Sequence, residues 1–272
     1  MQQSVARGLV KHLIPQAVVM HVRKRRLRAK LPKPLDIKPL ELIRTAPIEK
    51  LADAEWLEHE MLPALGLNDE MLGEFPRELY PYCGRGLRHW QYPNQFAPYL
   101  ASLAGRKITS YLELGVRHGG TFLITLEYLS RFNRMDRAIA VDLIDSPFLA
   151  AYSAEKKSSV RFMVLDTQLP QSQNTITNEA PFDLVLIDGD HSEQGCQNDL
   201  DLIGPHASIV VLHDIVSSIC PGVPAVWKRF REGAADTWKF SEFVDQYDDV
   251  LARRGVPYLG IGMAERRDVP TL

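Results

Sequence analysis

Cysteine is scarce and poorly placed for either of its structural uses. Cys83, Cys196 and Cys220 are an odd number at scattered spacings with no CxxC pair, which excludes a disulfide framework and the usual zinc patterns. A reducing, cytoplasmic setting suits that usage. Long hydrophobic runs are missing as well. No stretch approaches the ~20 apolar residues of a membrane-spanning helix, and the N-terminus lacks the basic start, apolar core and small-residue cleavage site of a secretory signal. Nor is there an excess of one charge: 32 Lys and Arg face 34 Asp and Glu, a net charge of -2, which gives no strong overall attraction to nucleic acid. Internal repeats and low-complexity tracts are absent too.

What is present begins with an uneven distribution of that charge. Residues 1–50 hold twelve of the Lys and Arg but only three of the Asp and Glu. Val5, Leu9, Leu13, Ala17 and Met20 form a helix-like apolar stripe that Pro15 should kink, and the basic run Arg23 to Arg26 follows. A solvated tail or a helix packed on a partner subunit, as in a homo-oligomer, is one expectation for this arm; peripheral contact with an anionic membrane surface is the other. The stretch "KLPKPLDIKPLELIRTAPIEK" reads as a proline-punctuated linker, because each proline pushes its predecessor out of the helical region. The expected division is therefore an arm and linker over 1–50, a helical and aromatic cap over 51–94, and a main domain over 95–272.

In that main domain, "QFAPYLASLAG" is a helix closed by a glycine. Beyond it the short apolar runs "ITSYLEL", "RAIAVDL", "VRFMVLD", "FDLVLID" and "ASIVVLHD" alternate with helical or polar segments, and "WKFSEFVD" and "YLGIGMA" supply a far edge. Near-continuous apolar strands are buried on both faces. The fold class is thus α/β: a Rossmann-like, doubly wound, mostly parallel seven-stranded sheet with helices on both faces and an N-terminal helical extension.

Open parallel sheets bind ligands outside the carboxyl ends of their strands. There lies "YLELGVRHGGTF", residues 111–122: a strand to Leu114, a turn through Gly115, Gly119 and Gly120, then a helix. The paired glycines permit close backbone approach and suit the polar part of a small ligand. The spacing is E-x-G-x-x-x-G-G, not the G-x-G-x-x-G of dinucleotide sites, and a carboxylate two residues before the first glycine repels a pyrophosphate but attracts an ammonium. Glu113 therefore suits an amino-acid moiety. Asp142, with Asp145 beyond it, ends the next strand and can accept from ribose hydroxyls. Asp166 can accept from an exocyclic amino group. Asp188, Asp190 and His191 follow the fourth strand, and His213 and Asp214 close the fifth. Acids at five successive strand ends exceed what caps and turns alone explain.

The segments "LELGVRHGGT", "AVDLID", "FDLVLIDGDHS" and "IVVLHDI" resemble the ordered motifs of class I S-adenosylmethionine (SAM)-dependent methyltransferases over about residues 95–265, and "IDGDHSEQGCQNDL" followed by "HD" resembles the branch with small-molecule O-methyltransferases and cephalosporin hydroxylase-like proteins. The resemblance implies that Glu113, Gly115, Gly119 and Gly120 surround the methionine part of SAM, with Asp142 on the ribose and Asp166 near the adenine. Arg117, Thr121 and Asp188 complete the expected cofactor set.

Transfer to a hydroxyl of a small-molecule acceptor then needs a base or a divalent cation. Asp188, His213 and Asp214 occupy positions where metal-dependent relatives place magnesium ligands. Magnesium prefers oxygen, however, and His213 offers nitrogen. Without metal, His191 and His213 are candidate bases, oriented by Asp188 or Asp214. Two regions are expected as acceptor walls: the aromatic segment with Tyr80, Tyr82, Trp90, Tyr92 and Phe96 beside Arg85, Arg88 and His89, and the loop "SSICPGVPAVWKRF" with Trp227. Alternative classes are an oxidoreductase or hydroxylase-like enzyme on the same scaffold, and a non-catalytic SAM-binding assembly protein.

Overall fold

A computed structural model describes residues 36–267 except 147, 148, 150, 151 and 154–158. The basic arm, with its expected stripe, kink and basic run, lies outside the described residues.

Seven strands form one sheet: β1 Ser110–Leu114, β2 Arg137–Asp142, β3 Val160–Val164, β4 Phe182–Ile187, β5 Ala207–His213, β6 Trp238–Phe243 and β7 Ile261–Arg266. Their order is β3-β2-β1-β4-β5-β7-β6. The first five run parallel, while β7 is antiparallel to both β5 and β6. The order reverses between β1 and β4, the switch point at which an open sheet leaves a crevice.

Alternation along the strands explains the two layers. Tyr111, Ala138, Leu184 and Val211 enter one core, whereas Leu112, Ile139, Val185 and Val210 enter the other. The first core is covered by α1 (Pro93–Leu103) and α2 (Gly120–Phe132), the second by α4 (Glu193–Ile203) and α5 (Gly222–Gly233); α3 (Pro170–Thr177) and α6 (Asp248–Arg254) complete the set of longer helices. Prolines open α1 and α3, where a missing N–H costs nothing, and the Ser192 hydroxyl caps α4 by accepting from the Gly195 N–H at 3.1 Å.

Two expectations change. The proline-punctuated segment is not a linker over its described part: Leu40, Ile43 and Leu51 are fully buried in the first core. Short helices Leu40–Thr45 and Ile48–Leu51 lie against α2, where Tyr128 donates to the Leu51 carbonyl at 2.7 Å and Arg44 pairs with Glu127 at 2.6 Å. The prolines interrupt the helices, but their apolar residues still face α2, so compact packing starts before residue 51. The helical stretch that follows is broken into Ala54–Trp56, a wider π turn Leu57–Met61 and Leu62–Leu65.

Candidate active site

A cavity of about 540 Å³ opens at the carboxyl ends of β1, β2, β4 and β5, under a wall made by residues of the preceding segment. All five strand-end positions meet there: Glu113, Asp142, Asp166, Asp188 and the pair His213 and Asp214 line it. Gly115, Arg117, Gly120, Thr121 and His191 line it too. Asp145 is exposed and Gly119 lies outside the lining.

The glycines of the turn let backbone approach neighbouring protein closely. A methyl group on Gly120 would sit 2.3 Å from the Leu87 carbonyl oxygen, and one on Gly115 would sit 2.2 Å from that of Asp188. On Gly119, with φ +88°, it would strike the Leu149 side chain at 2.6 Å. The turn is therefore shaped to lock β1 against β4 and to seat the N-terminal wall on the start of α2, which places the cavity walls close together. All four non-glycine residues with positive φ among the described residues, Arg88, Arg117, Asp214 and Leu259, line this cavity. Such backbone strain concentrates at functional sites.

At the floor, the Glu113 carboxylate is 1% exposed and accepts from the Tyr111 hydroxyl. Burial, followed by the charges of Asp188 and Asp142, holds its pKa well above the ordinary carboxylate range, although the Tyr111 hydrogen bond pulls it down. A cation beside it would relieve that cost. Asp142 accepts from the backbone N–H of Arg117 at 2.7 Å and of Ile144 at 3.2 Å, which fixes its carboxylate at the end of β2. The Arg117 side chain does not point free into the cavity: its guanidinium binds Glu70 at 2.5 Å and lies over the Trp90 ring at 5.4 Å, tying the glycine turn to the wall. Asp166 accepts from the Gln168 N–H at 3.1 Å. Asp190 accepts from the Ser192 N–H at 2.9 Å, the work of a turn residue.

Around Asp188 the charges interlock. Its Oδ1 is 3.0 Å from His191 Nε2 and 3.2 Å from His213 Nδ1. Burial raises its pKa, but the charge of His213 and hydrogen bonds from both imidazoles win and hold the carboxyl well below its usual range. His191 has both nitrogens engaged, the second 3.4 Å from Cys220 Sγ and 3.6 Å from Asp214 Oδ2. Burial lowers its pKa; hydrogen bonds to Asp188 and Cys220 and the charges of Asp188 and Asp214 outweigh that and push it up to about 11. His213 differs. It is 5% exposed, its Nδ1 is held by Asp188, and its buried Nε2 has no hydrogen-bond partner. Burial lowers its pKa, but the charges of Asp188 and Asp214 and the hydrogen bond to Asp188 outweigh that and raise it above the usual imidazole value. Ligand atoms of Asp188, His213 and Asp214 lie within 4.8 Å of one another, as do those of His191, Asp214 and Cys220.

Of the expected walls, Arg88, His89 and Trp90 line the cavity; Tyr80, Tyr82, Arg85, Tyr92 and Phe96 do not. Tyr92 packs edge-on against Phe75 and Tyr247, and Phe96 stacks on Tyr99. From the loop after β5, Ile219 and Cys220 contribute, whereas Trp227 packs on Phe240 and donates to Glu242 at 2.6 Å. The sequence reading missed Asn68, Glu74 and His118, which also line the cavity. Only the acid-rich neighbourhood of Glu74 could have signalled it, and that is indistinguishable from a solvated helix face.

The sheet order and strand directions are those of a Rossmann-like, doubly wound α/β fold with an antiparallel last strand. Residues 112–215, well under half of the chain, match the family model of a methyltransferase domain. No curated protein matches the chain. Among solved structures it is similar to the MycE methyltransferase of the mycinamycin biosynthetic pathway in complex with Mg and S-adenosylhomocysteine (SAH), at 16% identity and a TM-score of 0.44, covering 68% of this chain and 52% of that one. It is also similar to the Burkholderia thailandensis 1,6-didemethyltoxoflavin-N1-methyltransferase, at 18% identity and a TM-score of 0.42, over 65% of this chain and 77% of that one. A third is M. capricolum TrmK with SAH, at 16% and 0.42, over 61% and 66%. The chain spans about half the length of the MycE chain it matches.

Proposed function

We infer that this protein transfers a methyl group from SAM to a hydroxyl of a small-molecule acceptor. One observation carries the reading: His213, whose buried Nε2 has no hydrogen-bond partner, lines the same cavity as the buried Glu113 and the backbone-held Asp142. The residues fit the cofactor. Glu113 lacks a cation, which an α-ammonium supplies; Asp142 offers carboxylate lone pairs to a diol; and the acidic rim favours a positively charged sulfonium.

When bound, SAM supplies an electrophilic methyl on a sulfonium that leaves as a neutral thioether. The chain's part is positioning and proton removal. Asp188 accepts from His213 Nδ1–H, fixing the tautomer that leaves Nε2 as a lone pair toward the acceptor hydroxyl. As the new C–O bond forms, His213 takes the hydroxyl proton and Asp188 stabilises the imidazolium. His191, with a pKa pushed up to about 11, stays protonated and balances Asp188 and Asp214 rather than serving as the base. The pKa of His213 is raised as well, so the choice between the two expected bases rests on geometry: both nitrogens of His191 are engaged, whereas Nε2 of His213 has no partner.

A second reading is supported by the compact ligand set. Asp188, His213 and Asp214 would hold a divalent cation such as Mg2+, polarising the acceptor oxygen, although the nitrogen donor suits softer divalent ions better. The test is transfer of a deuterated methyl from SAM to a panel of phenols, alcohols and aminoalcohols, with and without EDTA, read by mass spectrometry. Labelled methyl ethers formed in EDTA support the base mechanism; loss in EDTA with rescue by a divalent ion supports the metal. Label on nitrogen alone overturns the hydroxyl assignment.

A further inference from the structure

Cys220 stands apart from the other two cysteines. Cys83 and Cys196 lie outside the cavity lining, whereas Cys220 lines it beside His191 and Asp214. Methyl transfer gives its thiol no task. Backbone packing fixes where it sits: a methyl on Gly222 would lie 2.6 Å from the His191 carbonyl oxygen and 2.3 Å from the Glu193 nitrogen, so the start of α5 is seated on the loop after β4. Cys220, just before that contact, is thereby held against His191.

Three different ligand atoms converge there. His191 Nδ1 is 3.4 Å from Cys220 Sγ and 3.6 Å from Asp214 Oδ2, and all three atoms lie within 4.8 Å of one another. Tetrahedral zinc with ligands at its usual distances has edges of about 3.4 Å between nitrogen and oxygen and about 3.6 Å between nitrogen and sulfur. The two measured edges match that size.

The surrounding contacts fit as well. A zinc-bound imidazole ordinarily donates its other N–H to a carboxylate, and His191 Nε2 lies 3.0 Å from Asp188 Oδ1. Asp188 is held in turn by His213 Nδ1 at 3.2 Å. Asp214 is 4% exposed while the His191 side chain is 39% exposed, which leaves an entry path from solvent. This set shares only Asp214 with the Asp188, His213 and Asp214 group expected for magnesium. One nitrogen, one oxygen and one sulfur do not suit a cation that demands oxygen; they select a borderline-soft one.

We propose that His191 Nδ1, Asp214 Oδ2 and Cys220 Sγ form a three-ligand Zn2+ site whose fourth position opens to the cavity. The ion displaces the His191 Nδ1 proton and the Cys220 thiol proton to solvent, and it takes over from the imidazolium the balancing of Asp188 and Asp214. The proposal stands apart from the methyltransferase reading, because none of its observations involves SAM. The full-length protein, stripped with EDTA and kept reduced, is titrated with Co2+, which reports thiolate ligation by a near-ultraviolet charge-transfer band; Zn2+ or Mg2+ is then added. One Co2+ per chain binds with that band, Zn2+ displaces it, and millimolar Mg2+ does not. Cys220→Ser removes the band, and both Cys220→Ser and Asp188→Asn weaken Zn2+ binding about tenfold or more. His213→Asn and Cys83→Ser keep the band. The wild-type spectrum tests sulfur ligation without any variant. No Co2+ binding, a spectrum without the thiolate band, displacement by Mg2+, a band that survives Cys220→Ser, or a band lost in His213→Asn or Cys83→Ser overturns the site.

Discussion

Nδ1 of His213 lies 3.2 Å from Oδ1 of Asp188, across the ends of the neighbouring strands β5 and β4. One strand register therefore decides both the tautomer of the imidazole and the direction of its free nitrogen. Substituting His213→Asn keeps a donor near Asp188 and removes the base. Turnover should fall by roughly 10²- to 10⁴-fold, with SAH affinity within about twofold of wild type. Steady-state kinetics with a calorimetric SAH titration check this, and an unimpaired kcat contradicts it.

Glu113 yields a double prediction. Its folded-state pKa lies above the unfolded one, so its own contribution to the stability of the unliganded protein is fully present below ~4.3 and is lost as pH rises toward the raised value. Glu113→Gln should hold or raise the melting temperature of the free protein at pH 8. It should weaken SAH binding about tenfold or more, because a charge-assisted contact to the ammonium is lost. A fall in melting temperature together with unchanged SAH affinity goes against this role.

The acids were legible because strand ends are legible: an apolar run stopping at Asp142 or Asp188 marks the sheet's rim in one dimension. What a glycine approaches is not. Gly120 meets the Leu87 carbonyl and Gly119 meets Leu149, contacts that only the closed fold brings together. Leu40 and Ile43 were hidden in the same way, since prolines signal interruption but say nothing about where the interrupted pieces dock. Glu74 and Asn68 were invisible because they reach the cavity from a segment far in sequence from the strand ends, and only the closed fold brings them there.

The Gly120 contact gives a stability prediction. Gly120→Ala places a methyl 2.3 Å from a backbone oxygen that no rotamer change can move. The cost should be about 2 kcal/mol or more in urea unfolding, by the usual scale for forced overpacking. Gly233→Ala, whose added methyl meets nothing within 4 Å, is the control and should be neutral or stabilising. Equal stability of both variants would refute the proposed seating of the wall on α2.

His89 predicts an acid sensitivity. Burial lowers its pKa to about 4, against which the hydrogen bond to the Leu62 carbonyl works only partly. The unfolded chain takes up a proton below about 6.5 that the folded chain refuses, so stability falls as pH drops from about 6.5 to about 4 and then levels. The full contribution is about 3 kcal/mol. His89→Gln, which keeps a donor for Leu62, should flatten the stability curve in that window; an equally steep curve contradicts the assignment.

The central claim is that the acid-rimmed cavity takes a nucleoside carrying an amino acid. Isothermal titration of the full-length protein with SAH tests it most directly. The account predicts saturable binding at one site per chain, weakened about tenfold or more by Glu113→Gln and by Asp142→Asn. No measurable binding at millimolar SAH, or binding indifferent to both substitutions, would contradict it.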